Sequence, residues 1–168
     1  VDEPASLFPL TSVRLLSGPF SDAVKANSAY LLSHNVDRLI APFRREAGLE
    51  PRNSPYPDWE SRGLDGHTAG HYLSALSFMI ASGNDPTGEL KRRLDYMIDE
   101  LALCQEKNGD GYVGGIPGSR AFWSDIAAGR IKASGFGLNG KWVPWYNMHK
   151  LFAGLRDACT AGGSGKAR

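Results

Sequence analysis

The stretch HTAGHYLSALSFMIASGNDPTGELKRRLDYMIDELALCQEK, residues 67–107, decides the fold class of this chain. Apolar residues recur with the period of an α-helix in both of its halves, which predicts helices over about 67–82 and 88–107. Gly83-Asn84-Asp85-Pro86 between them is typical of a tight turn, so the pattern predicts an antiparallel helix hairpin. The apolar residues are Tyr72, Leu73, Leu76 and Ile80 in the first half and Leu90, Leu94, Met97, Ile98 and Leu101 in the second.

The segments on either side of this hairpin extend the helical pattern. A helix capped by Ser21 is predicted to end at Pro42, and another is predicted from about Pro144 to Cys159, with a short helix over 119–128. Long Pro-rich and Gly-rich loops separate them, and no strand is predicted. The order predicts an all-α fold, an α/α toroid or bundle whose function lies in its loops. The expected organisation is an extended arm over 1–20, one helical unit over 21–161 and a frayed tail over 162–168.

Composition excludes several classes of function. Charged residues make up 22% and apolar residues 42%, and 19 Lys and Arg against 18 Asp and Glu give a net charge of +1. That balance argues against a nucleic-acid or anionic-membrane partner, and no apolar run is long enough for a transmembrane helix. The two cysteines, Cys104 and Cys159, cannot form a disulfide scaffold or a four-thiolate metal site.

Two familiar motifs do not carry their usual chemistry here. Residues 109–114 and 135–140 both match G-x-G-x-x-G, but neither follows a predicted strand and opens a helix, so they are interpreted as turns. His67 and His71 have the spacing of a zinc protease helix, yet no Glu follows the first His and a third ligand is missing. No metal site is therefore predicted.

Aromatic residues concentrate in the loops. Rings of this kind stack on the C–H faces of sugars, or they fix long loops onto the core, and the sequence leaves both readings open. Carboxylates accompany them, and glycoside hydrolysis commonly uses two, although most are expected to cap helices or accept hydrogen bonds in turns. The aromatic residues are Tyr56, Trp59, Tyr112, Trp123, Trp142, Trp145 and Tyr146, and the carboxylates are Asp58, Glu60, Asp65, Asp110 and Asp125.

Three phrases of the sequence resemble one family. They are PDWESRGLDGHTAGHYLSAL at 57–76, DGYVGGIP at 110–117 and WVPWYNMHKLFAGLRD at 142–157. In this order they resemble the N-terminal part of the catalytic domain of β-L-arabinofuranosidase-like glycoside hydrolases, families 127 and 146. The resemblance implies a partial (α/α)6 barrel and retaining removal of terminal β-L-arabinofuranosyl groups from plant-type glycans.

The resemblance also limits which site residues can be assigned. It implies a cysteine nucleophile in a zinc site and a glutamate acid/base, all later in the family's chain than the motifs present here. No catalytic residue, metal ligand or cofactor is therefore assigned to this chain, and zinc is expected only in the full-length protein. Substrate-binding roles are expected, by motif position, for Asp65, His67, Trp142, Trp145, Tyr146 and His149.

The resulting hypothesis is an N-terminal fragment of such a hydrolase that is inactive alone and binds an arabinose-containing glycan. The alternatives are a non-catalytic carbohydrate-binding or scaffolding module, and an enzyme completed by self-association through uncovered helix faces. The plant-glycan substrates of the family favour an extracytoplasmic location, periplasmic or secreted.

Overall fold

The computed structural model describes residues 5–168, and six α-helices form most of that part of the chain. The predicted all-α fold class is confirmed. The helices are α1 (Pro19–Ser33), α2 (Val36–Glu46), α3 (His67–Ala81), α4 (Glu89–Asn108), α5 (Ser119–Ala127) and α6 (Pro144–Thr160). Single turns of 3₁₀-helix lie at Leu10–Ser12, Asp58–Ser61 and Gly165–Ala167.

The predicted hairpin is present as α3 and α4, which pack against each other. The short connection makes them antiparallel neighbours. The side chain of Asp85 caps the first turn of α4, since its two carboxylate oxygens accept hydrogen bonds from the backbone N–H groups of Leu90 (3.1 Å) and Lys91 (2.9 Å). Gly83 and Gly88 bend the chain at φ of +74° and +73°, a conformation that favours glycine.

The N-terminal region differs from its prediction, because the single helix expected between Ser21 and Pro42 is two helices. The chain breaks at Asn35, whose side-chain oxygen accepts a hydrogen bond from the N–H of Asp37 and caps α2. Pro42 lies inside α2 and does not end it. Its burial beside Phe43 in the core offsets the backbone hydrogen bond that proline cannot donate.

The core lies around α3, which packs against α1, α2, α4 and α6. Leu73 and Leu76 of α3 are fully buried, together with Leu94 of α4 and Leu151 of α6. Burial of a leucine side chain stabilises a fold by about 1.5–3 kcal/mol, so these side chains hold the helices together. The site described below lies at the α3–α6 contact.

A three-stranded antiparallel sheet connects α5 to α6, where no strand was predicted. Its strands are β1 (Ala133–Ser134), β2 (Gly137–Leu138) and β3 (Lys141–Trp142), in the order β1-β2-β3. The register pairs Ser134 with Gly137 and Gly137 with Trp142. Strands of two residues are too short to show an alternating pattern, so the sequence gives no signal for them.

The two ends of the chain also differ from expectation. Residues 1–4 of the predicted arm lie outside the described residues, and the first helix already begins at Pro19. The tail, expected to fray, packs back onto the molecule: the N–H of Ser164 donates to the Ala158 carbonyl oxygen at 2.9 Å, and Lys166 pairs with Asp99 at 2.7 Å. Ala167 contacts the hydrophobic core. These contacts hold the tail in place, although its small polar residues predict fraying.

An apolar hollow of about 520 Å³ lies between α4, α6 and the tail. Phe152 lines it and is 57% exposed. This is the kind of uncovered helix flank on which the self-association hypothesis depends, and self-association stays a prediction. Within residues 5–168, every helix is too short or too polar to cross a bilayer.

Candidate functional site

Two glycines bring α3 and α6 together at the site. A Cβ on Gly70 would overlap the carbonyl group of Lys150, and a Cβ on Gly154 would lie 2.9 Å from the Cα of Gly70. The Ser74 hydroxyl donates to an Asp157 carboxylate oxygen at 2.7 Å one turn further along. The helices therefore cross with their backbones in contact, which brings side chains at the start of α3 beside those at the start of α6.

The N-terminus of α3 is capped by a side chain from the preceding loop. Both oxygens of the buried Glu60 carboxylate accept backbone hydrogen bonds at 2.8 Å, one from the N–H of Gly66 and one from Thr68. Burial alone would raise the pKa of Glu60, but the hydrogen bonds that it accepts outweigh burial and lower it. Gly66 has φ of +91°, and a side chain there would strike the ring of Phe43, so this turn requires glycine.

His67 is oriented by two acceptors on one ring nitrogen. Its Nδ1 lies 2.7 Å from the Leu64 carbonyl oxygen and 2.7 Å from Glu60 Oε1. A carbonyl oxygen only accepts, so Nδ1 carries the proton, and the contacts to Leu64 and Glu60 are both made through this nitrogen. Burial would lower the pKa of His67, but the hydrogen bonds to Glu60 and Leu64 hold it above the usual histidine value.

His71 lies one helical turn further along, beside the aromatic start of α6. Its Nε2 is 3.4 Å from the Tyr146 hydroxyl, and its ring centroid is 5.9 Å from that of His67. The Lys150 ammonium lies 4.9 Å from the centre of the Tyr146 ring. Burial, followed by the positive charges of Lys150 and His67, lowers the pKa of His71. The pKa values of the two imidazoles are therefore shifted in opposite directions from the ordinary histidine value.

Asp65, a predicted site residue, is only 2% exposed and has its carboxylate engaged. Its Oδ1 accepts from Arg45 at 3.0 Å and its Oδ2 accepts from the N–H of Gly63 at 3.1 Å. Its backbone carbonyl accepts from the buried Asn147 amide at 2.9 Å. Asp65 thus joins the loop before α3 to α2 and α6, and it orders the loop that carries His67.

The three predicted aromatic site residues, Trp142, Trp145 and Tyr146, all have exposed side chains. Trp145 is 62% exposed, and one side of its ring packs on Trp123 with centroids 4.7 Å apart. Trp142 lies over Gly63, in the loop of Glu60 and Asp65, and Tyr146 lies between His67 and Lys150. The aromatic rings therefore do both things that the sequence left open, because they order the loops and still present exposed faces.

His149, the remaining predicted site residue, is not brought into this group. It lines a separate hollow of about 580 Å³ with Trp145, Met148 and Phe152. Successive residues of a helix differ by about 100° in direction, so Tyr146 and Lys150 face α3 while Trp145 and His149 share a different strip of α6. The structure therefore assembles His67, His71 and Tyr146 at the α3–α6 contact, whereas Trp145 and His149 lie on the neighbouring strip of α6.

The model of the β-L-arabinofuranosidase GH127 catalytic domain family matches residues 12–168. The chain belongs to this family. A search of curated proteins found no match. Membership makes the chain part of a glycoside hydrolase family, whose substrates are carbohydrates. The mostly helical structure agrees with the helical barrel of such enzymes.

The GH127 family implies zinc, but the residues described here do not fit a zinc site. No group of three or more His, Cys, Asp or Glu side chains between residues 5 and 168 is placed to hold a metal ion. Cys104 is buried, and burial raises the pKa of its thiol to about 11, away from the thiolate that zinc requires. No chemical step is therefore assigned to zinc at these residues.

The candidate site of this GH127 chain also contains residues for which the sequence predicts no role in substrate binding. The sequence suggests His71 only as a metal ligand and Glu60 only as one carboxylate among several, and it indicates no role for Lys150. The spacing of four residues from His67 to His71 and from Tyr146 to Lys150 is the available signal, since such pairs share one helix face. The capping of α3 by Glu60 has no such signal, because it depends on the folded loop.

Proposed function

We propose that this chain forms the substrate-binding wall of a glycosidase that removes terminal β-L-arabinofuranosyl groups. The observation that carries the proposal is the convergence of His67, His71 and Tyr146 at one α3–α6 contact, in a chain that belongs to a β-L-arabinofuranosidase family. A furanose unit offers hydroxyl groups that both donate and accept, together with small C–H faces.

The three side chains suit those groups in complementary ways. His67, with Nδ1 satisfied and a raised pKa, presents Nε2 as a donor when it is protonated. His71, with its lowered pKa, stays neutral near pH 7, so it keeps one ring nitrogen as an acceptor. The Tyr146 hydroxyl does both, and exposed indole faces are available for stacking.

We assign no catalytic residue to this part of the chain. A glycosidase needs a proton donor and a nucleophile or base, and the two buried carboxylates nearest the site are already committed. Glu60 caps α3 with a lowered pKa, and Asp65 is bound to Arg45 and Gly63. In this proposal the nucleophile, the acid/base and zinc lie outside residues 5–168, and these residues alone do not hydrolyse a glycoside.

Because the carboxylates of Glu60 and Asp65 are held in structural contacts, a second candidate function is also favoured. It is a non-catalytic carbohydrate-binding or scaffolding module. The two candidates differ in which sugar is preferred. A wall of the arabinofuranosidase site prefers β-L-arabinofuranosides, whereas a general module binds other pentosides and hexosides equally well.

The proposal is tested by titrating the purified chain with methyl β-L-arabinofuranoside and following the histidine ring signals by NMR. Saturable shifts at His67 and His71 are expected in the wild-type chain. The His67 shift is expected to be lost in His71→Ala, and both shifts are expected to remain in His149→Ala. His149→Ala is the matched control, since it removes an exposed imidazole from the adjacent strip of α6. Failure of the wild-type chain to bind at millimolar sugar overturns the proposal, and equal binding of methyl β-D-glucoside favours the second candidate.

A further inference from the structure

We propose that the β1–β2 hairpin forms a second sugar subsite, which holds the unit next to the terminal arabinofuranose. Its platform is Phe136, at the hairpin turn, facing Trp145 and Tyr146 across a hollow of about 350 Å³. That volume lies at the low end of the range for small-molecule sites. The inference rests on the proposed function, since it places the rest of the glycan relative to the proposed binding group.

The side chain of Phe136 does not contribute to the packing of the hydrophobic core of the described residues. Phe136 is 82% exposed. Its backbone is nevertheless fixed, because the Phe136 carbonyl oxygen accepts a hydrogen bond from the N–H of Val143 at 2.9 Å. A ring held out in solvent on an ordered backbone is available to stack on a ligand.

Val143, the donor of that hydrogen bond, has a strained backbone conformation. Val143 has φ of +40° and ψ of +49°, a left-handed conformation that is sterically unfavourable for a β-branched residue. Val143 directly precedes α6 and lines the same hollow. Strain of this kind persists where the surrounding structure fixes it, and it is common in ligand-binding regions. Here it ties the hairpin to the start of α6, which carries the other two rings.

The facing wall is also held in place before any ligand arrives. One side of Trp145 is supported by Trp123, whose ring in turn packs on Phe122 with centroids 4.5 Å apart. A supported ring loses little conformational freedom on binding, which favours affinity. The hollow is therefore bordered by aromatic rings attached to two separate elements, the hairpin and α6.

Tyr146 connects this hollow to the proposed binding group. Its hydroxyl is 3.4 Å from His71 Nε2, and the same residue lines the hollow beside Phe136. A terminal sugar beside His67 and His71 thus has its neighbour on the far side of Tyr146. The hollow is lined by apolar and aromatic residues, and no charged side chain among residues 5–168 lines it. The occupant that fits is therefore a neutral sugar ring presenting its C–H face.

The test compares a one-unit and a two-unit ligand on the same chain. Methyl β-L-arabinofuranoside and a β-L-arabinofuranosyl-arabinose disaccharide are titrated into wild type, Phe136→Ala and Phe136→Tyr, with binding followed by NMR. Wild type is expected to bind the disaccharide more tightly. Phe136→Ala is expected to weaken disaccharide binding by about three- to tenfold and to leave the one-unit ligand unchanged, while Phe136→Tyr retains the wild-type preference.

The matched control is Phe20→Ala, which removes a phenylalanine of similar exposure, 76%, from the start of α1. It is expected to bind both ligands as wild type does. If wild type binds both ligands equally, or Phe136→Ala keeps the preference, the second subsite is overturned while the proposed function stands. If neither ligand binds, the proposed function fails and the subsite fails with it.

Discussion

Gly70 and Gly154 touch where α3 crosses α6, and neither position has room for a Cβ. A Cβ on Gly70 would come within 2.8 Å of the backbone nitrogen of Leu151, and one on Gly154 within 2.9 Å of the Gly70 Cα. The contact sets the distance between the histidines of α3 and the aromatic residues of α6. The proposed binding group therefore depends on two residues that contribute no chemistry of their own.

Gly154→Ala is expected to destabilise the chain, because the added methyl group must push the two helix backbones apart. Overpacking of this kind costs about 1–3 kcal/mol in the free energy of unfolding. Urea unfolding followed by circular dichroism measures the change. Gly165→Ala is the control, since a Cβ there meets no atom within 4 Å. Equal stability of the two variants would show that the helices do not cross as closely as described.

Glu60→Gln is expected to weaken the start of α3. The amide keeps one acceptor oxygen but turns its NH₂ toward a backbone N–H that the carboxylate now satisfies, and an unsatisfied buried group costs about 1–3 kcal/mol. Urea unfolding measures the loss. Glu106→Gln, at an exposed position of α4, is the matched control and is expected to unfold as wild type does. A Glu60→Gln chain with wild-type stability would contradict the capping role.

The two histidines of α3 are expected to titrate on opposite sides of the ordinary histidine pKa. In NMR titrations the pKa of His67 lies above its unfolded value of about 6.5, and that of His71 lies below it. Glu60→Gln lowers the pKa of His67, because it removes the carboxylate that stabilises the imidazolium. An unchanged His67 pKa in that variant would contradict the contact with Glu60.

The raised pKa of His67 also predicts a pH dependence of stability. A group with a raised folded pKa binds its proton more tightly when folded, so its stabilising contribution is complete below the unfolded pKa. The contribution is lost as the pH rises from about 6.5 through the folded pKa of His67. The difference in unfolding free energy between the wild-type chain and His67→Gln should therefore decrease over that pH interval. A difference that grows with pH would contradict the assignment.

Cys104 is expected to resist alkylation in the folded chain. Its thiol is buried, and its pKa is raised to about 11, so little reactive thiolate forms at pH 8. Mass spectrometry after iodoacetamide treatment should find Cys104 unmodified in buffer and modified in urea. Cys159, which is partly exposed, serves as the internal comparison. Rapid modification of Cys104 in buffer would show that this thiol is accessible and activated.

Periodicity was sufficient to predict the helices with continuous apolar faces. α3, α4 and α6 each present apolar residues at helical spacing, and the Gly-Asn-Asp-Pro turn marks the hairpin between the first two. The break before α2 could not be predicted in this way, because it depends on Asn35 capping a new helix within an uninterrupted apolar pattern. The sheet at 133–142 has strands too short to carry a pattern.

The motifs predict candidate site residues, but they do not show which of these residues lie together in the fold. The motifs propose His67, Tyr146 and His149 alike, but in the structure the rings of His67 and Tyr146 lie close together, whereas His149 lies on a different strip of α6. Glu60 and Asp65 act through backbone groups and through Arg45, contacts that exist only after the loop has folded. Lys150 enters the group because the glycine contact draws α6 onto α3.

The proposed function requires that this chain holds a terminal arabinofuranosyl unit at His67, His71 and Tyr146 without cleaving it. One experiment tests both parts: NMR spectra of the chain incubated with methyl β-L-arabinofuranoside, recorded for the protein and the sugar in the same sample. We expect shifted ring signals at His67 and His71 while the glycoside stays intact. Release of free arabinose by the purified chain, or unshifted histidine signals at saturating sugar, would contradict it.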